Sequence, residues 1–187
     1  MSLSIAIKIV TTDNRTHRFL QTDARHTQKI LDSFKHERQH FFRRPSLIIV
    51  SYSHTEIFNP REICQIEFET GQALETWLPA GYQHPHLRIL AADELAMPDG
   101  FDDGDVHTRV DLLFKGGHTL HTWLEGDHED SIADRNSHIA QIYERPWLLY
   151  QPESPGIGLI NPATIIHTRI GLPLHDTPSD SWQANEA

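Results

Sequence analysis

The chain is poor in cysteine, in basic residues and in long apolar runs. Cys64 is the one cysteine among 187 residues. That excludes an intrachain disulfide and any zinc site built from several thiolates, and it points to a reducing, cytoplasmic setting. The longest aliphatic run is Leu47-Ile48-Ile49-Val50, and Lys8, Asp13, Arg15 and Arg18 interrupt the first twenty residues. Neither a membrane span nor a secretory leader is expected on those terms. No P-loop, G-x-G-x-x-G, G-x-S-x-G or cysteine-pair motif is present, so phosphate-loop, dinucleotide and serine-hydrolase chemistry have no motif to rest on. Lys and Arg number 16 against 26 Asp and Glu, a net charge of −10.

Histidine, by contrast, is abundant, with 14 copies scattered from His17 to His175. Because imidazole titrates near pH 6.5, full protonation would carry the net charge to about +4, and poor solubility is expected in mildly acidic buffer where that charge crosses zero. The spread suits a solvated surface better than a single site. Charge is also polarised along the chain: residues 1–50 hold nine bases and four acids. Such asymmetry fits either an anion-binding face or a basic surface that docks on an acidic one within a homo-oligomer.

Comparing the chain with itself suggests a tandem unit. Gly71-Gln-Ala-Leu-Glu-Thr-Trp-Leu78 and Gly117-His-Thr-Leu-His-Thr-Trp-Leu124 share five of eight residues, and Arg44-Pro45 and Asn59-Pro60 recur as Arg145-Pro146 and Asn161-Pro162. Each unit opens on a hairpin signal, Ile5 to Val10 and Thr16 to Gln21 about Asp13-Asn14, then Val110 to Phe114 and Thr119 to Leu124 about Gly116-Gly117. Asn and Gly supply the positive φ that tight turns need. Polar helical stretches are expected at about 23–43 and 127–144, each closed by its Arg-Pro pair. An apolar strand follows each, Leu47 to Val50 and Trp147 to Tyr150. Each Asn-Pro then starts a helical turn, with Asn as cap and Pro at the first position. In the strand after Asn59-Pro60, Cys64, Ile66 and Phe68 alternate with Gln65, Glu67 and Glu69, the pattern of a half-buried strand with Cys64 inward. Trp77 and Trp123, at matched places, read as core anchors.

Three patterns bear on chemistry. His36-Glu37-Arg38-Gln39-His40 matches H-E-x-x-H and over these five residues resembles the zinc metallopeptidases, which would make His36 and His40 ligands of zinc and Glu37 the general base. On the expected helix both imidazoles point away from the face that carries Leu31, Phe34, Phe41 and Phe42. Lys35, Arg38, Arg43 and Arg44, beside Phe41 and Phe42, offer phosphate contacts and stacking to nucleic acid, or cap the helix C-terminus over two core phenylalanines. The acidic run at Asp99–Asp105 lacks oxygen ligands at calcium-loop spacing, since Phe101 and Val110 fall where they are required.

The expected fold is α+β, with two related hairpin-helix-strand units whose antiparallel sheets are each packed by one helix. Their bounds are 1–80 and 107–172, with an acidic connector at 81–106 and a tail at 173–187. The expected function is a non-catalytic interaction or assembly module that forms homo-oligomers, without a cofactor. A zinc-dependent hydrolase and a nucleic-acid-binding module are the alternatives.

Overall fold

The computed structural model describes residues 4–70, 87–91, 94, 100–102, 105–127 and 142–171. Both expected hairpins form. β1 (Ile5–Thr11) and β2 (Thr16–Gln21) pair antiparallel about Asn14, whose φ is 61°. β8 (Asp105–Phe114) and β9 (Thr119–Asp127) do so about Gly116 and Gly117, at φ 84° and 87°. Gly116 is irreplaceable on two counts, because its backbone is left-handed and a Cβ there would overlap the carbonyl oxygen of Thr12. One hairpin turn therefore rests on the other.

α1 (Ala24–Glu37) begins at Asp23, whose carboxylate accepts the His26 amide at 2.9 Å, a capping bond for a free helix-terminal N–H. The helix is shorter than the sequence pattern suggests. At Arg38 the chain tightens into a 3-10 segment, Arg38–Arg43, ahead of Pro45.

The remaining elements correct the two-unit α+β expectation. The protein is mostly β, and α1 is the single α-helix among the described residues. β5 (Ile63–Glu69), β6 (Leu87–Ile89), β10 (Leu148–Gln151), β11 (Gly156–Ile160) and β12 (Ile165–Ile170) join the hairpins in one sheet ordered β12-β8-β9-β6-β10-β11-β5-β1-β2. A short β7 (Gly100–Asp102) pairs with β8 off that path. β6 runs parallel to β10, while the other pairings are antiparallel. β3 (Leu47–Val50) and β4 (Thr55–Phe58) form a separate two-stranded ribbon.

The sheet is continuous because β11, from the second expected unit, pairs in full with β5 of the first. β6, in turn, falls within the stretch read as a connector. The expected second helix at 127–144 lies largely outside the described residues, as do Trp77 and the tail at 173–187. No described helix is long and apolar enough to cross a membrane.

Local motifs do recur within this single sheet. Asn59 and Asn161 each cap a 3-10 turn, Pro60–Glu62 and Pro162–Thr164, with the side-chain oxygen accepting the amide two residues on at 3.2 Å. Both following strands carry a β-bulge, which leaves Cys64 and Ile166 as the extra residues.

Two apolar clusters lie on opposite faces of the sheet. On one face Ile5, Ile7, Ile9, Ile66, Phe68 and Leu159 pack beneath Leu31 of α1, Phe41, Phe42 and Phe58 of the ribbon. On the other, Cys64 of β5 shares a cluster with Leu112 and Phe114 of β8 and Ile165 of β12. Four strands separate β5 from β8 in the sheet order, so the sheet curls around this second cluster. That curl buries both faces of β5. Gln65 and Glu67, expected to face solvent, are only 2% and 3% exposed.

Candidate functional site

Burying Glu67 without partners would cost several kcal/mol, and the sheet supplies them in register. Lys8, Glu67, Gly158 and Tyr150 stand side by side on β1, β5, β11 and β10. The Lys8 ammonium donates to both carboxylate oxygens, at 2.9 and 3.0 Å. Gln65 Nε2 donates at 3.3 Å and the Tyr150 hydroxyl at 2.7 Å. Tyr150 reaches across an intervening strand because Gly158 has no side chain: a Cβ there would overlap its ring. Burial first, then the Glu67 carboxylate, push the phenol of Tyr150 well above its usual range.

His118 extends the network from the β8–β9 turn. Its Nε2 lies 3.4 Å from Gln65 Oε1, an acceptor, and its ring stacks on Phe114. Burial, then the positive charges of Lys8 and His121, hold the imidazole below its ordinary pKa against the opposing pull of Glu67. The folded state therefore binds fewer protons than the unfolded chain just below pH ~6.5, so stability falls as pH drops through that value. Urea midpoints at pH ~7.5 and ~5.5 test this: the drop on acidification should be smaller in His118→Gln than in the wild type.

Beside it, the Asp111 carboxylate accepts from Arg109 Nε at 2.8 Å and His121 Nδ1 at 2.7 Å. Burial pushes the carboxyl up, but those hydrogen bonds outweigh it and hold it below the usual range. Glu67 has both oxygens engaged by donors from three side chains, and Tyr150 has no exposed surface. The arrangement fixes strand register.

The residues singled out from the sequence are spread over two helical elements and the residue after them. Lys35, His36 and Glu37 lie in the last turn of α1, while Arg38, His40, Arg43 and the two phenylalanines belong to the 3-10 segment. The H-E-x-x-H match thus straddles a change of helix type. The side chains of residues 34–39 lie outside the described set. Among the described residues no group of three His, Cys, Asp or Glu is placed to hold a metal such as zinc. Phe41 and Phe42 are buried, closed to base stacking. Arg44 turns back onto the helix, donating to Ser33 Oγ at 3.1 Å with its guanidinium over the Phe41 ring. Arg43 is exposed and lines a cleft with Arg61, Lys115 and Arg145.

Cys64 is buried, and burial raises its thiol to about 11 despite a hydrogen bond with Thr164. It stays protonated and unreactive at neutral pH.

The ribbon presents the other unusual surface. Leu47, Ile49 and Phe58 pack inward on the first cluster. On the opposite face Ile48, Val50 and Ile57 are 57%, 73% and 69% exposed, with Ile48 directly across from Ile57. Glu56 holds the ribbon to the body through His17, at 3.0 Å, and also meets His54 at 3.1 Å. The strand Leu47–Val50 is legible in the sequence, whereas its partner β4 carries no comparable apolar run.

No protein-family model, curated protein or solved structure matches this chain.

Proposed function

We propose that the protein is a non-catalytic assembly module whose copies associate through the outer face of the β3–β4 ribbon. One observation carries the reading: Ile48, Val50 and Ile57 form a contiguous aliphatic surface in water on a ribbon that pairs with no other described strand. Exposed apolar patches on edge strands are ordinarily covered or charged, because they template association. Here the face carries no charge, and Tyr52 beyond its end is fully exposed. A second copy fits this surface because a twofold axis sets the same aliphatic row against itself, burying both at once. The groups whose chemistry might otherwise suggest catalysis, Cys64, Glu67 and Tyr150, are sealed within the body.

Sedimentation velocity at low and high ionic strength tests the proposal. A reversible dimer is expected in both buffers, since apolar burial is not screened by salt. Ile48→Lys combined with Ile57→Lys should sediment as a folded monomer. A wild-type chain that is monomeric in both buffers refutes the reading.

A further inference from the structure

We propose that the cleft between the two Asn-Pro turns binds a phosphoryl dianion carried by a small organic molecule. The cavity is about 400 Å³, within the range of small-molecule sites. Arg43, Arg61, Lys115 and Arg145 converge on it from four separate segments: the end of the 3-10 helix, the first Asn-Pro turn, the β8–β9 turn and the approach to β10.

Lys8, Arg15, Arg88 and Arg109 each meet a carboxylate within 3.2 Å. None of the four cleft bases makes a salt bridge among the described residues, although acids outnumber bases in the chain. Two acids line the cleft, Glu62 and Glu144, and Glu62 accepts the Thr12 hydroxyl at 2.7 Å. Four positive charges against two negative leave an excess that one dianion neutralises, and the arginine fork matches phosphoryl oxygens.

The floor is rigid. Buried Asn161 donates from Nδ2 to the carbonyls of Pro60, at 3.3 Å, and Ile63, at 3.0 Å, while its Oδ1 caps its own turn. Both turns are thereby tied to one side chain, and Arg61, which the first of them carries, is held without a ligand's help. At the rim the half-exposed Tyr143 ring, whose hydroxyl lies 2.9 Å from Thr168 Oγ1, offers an aromatic wall to the organic part. A localised cleft, in a protein of net charge −10, suits a small phosphate ester rather than an extended nucleic-acid backbone, which needs a continuous basic track. The inference stands independently of self-association.

Calorimetric titration of the full chain with phenyl phosphate, at constant ionic strength against sodium chloride, tests it. Saturable binding at one molecule per chain is expected, weakened roughly tenfold or more by Arg61→Gln and by Arg145→Gln. Arg18→Gln, on β2 outside the cleft, should leave the affinity unchanged. Circular dichroism confirms folding of each variant, and Lys115→Gln on the exposed turn replaces any that fails. Absence of saturable binding, an equal loss in Arg18→Gln, or no loss in the cleft variants would leave an adventitious ion only and overturn the proposal. A single-stranded oligonucleotide that binds more tightly than phenyl phosphate would overturn the small-molecule assignment.

Discussion

Replacing Glu67 with alanine is expected to destabilise the fold by about 3–5 kcal/mol, the cost of breaking a buried ion pair from one side. The loss is large because three donors depend on one carboxylate. The Lys8 ammonium, the Gln65 amide and the fully buried Tyr150 hydroxyl would all lose their acceptor. Tyr150→Phe removes one donor and leaves the others paired, so it should cost only about 1–3 kcal/mol. Removing both charges and the phenol hydroxyl restores much of the difference: Lys8→Met, Glu67→Leu and Tyr150→Phe together should lie closer to the wild type than Glu67→Ala alone, because no charge is then buried unpaired and only the Gln65 amide loses its acceptor. Urea midpoints read all three. A Glu67→Ala midpoint indistinguishable from the wild type would show that the carboxylate does not organise the sheet.

Gly158→Ala is expected to cost about 3 kcal/mol, through overpacking against the Tyr150 ring and loss of the phenol–carboxylate bond. The added methyl would occupy the space of ring carbons Cε1 and Cζ, so the ring must lift and the hydroxyl leave Glu67. The three nearest atoms all belong to the Tyr150 ring, which makes the clash separable in a double-mutant cycle. In a Tyr150→Ala background the same substitution should cost less than about 1 kcal/mol. An equal penalty in both backgrounds would place the strain in the backbone instead.

Neither effect could be read from the sequence, and the reason is physical. Short-range patterns were legible: the Asp13-Asn14 and Gly116-Gly117 turns, the two Asn-Pro caps and β3 all depend on residues within a few positions of one another. Gln65 and Glu67 were read as solvent-facing because their alternation with Ile66 and Phe68 marks two unlike faces, and a polar face usually meets water. That reading omits the curl that brings His118 and the β8–β9 turn over β5. The bulge at Cys64 also shifts the register, putting Cys64 in one cluster and Ile66 in the other.

The α+β expectation failed for a related reason. Equivalent local motifs do not make equivalent halves here, because β11 pairs across to β5 and merges the two sets of strands. Of the candidate site, only Arg43 was visible in advance. Arg61, Lys115 and Arg145 are distant in sequence and meet at the cleft from three separate segments.

The pairing of β5 with β11 also governs how the protein must be made. Residues up to Glu69 emerge from the ribosome long before Gly156–Ile160, so β5 waits with one hydrogen-bonding edge open while residues 70–155 are synthesised. Contacts this distant close slowly. In that interval the nascent polypeptide carries an unfinished border, and a chaperone has its greatest use before the last strands arrive.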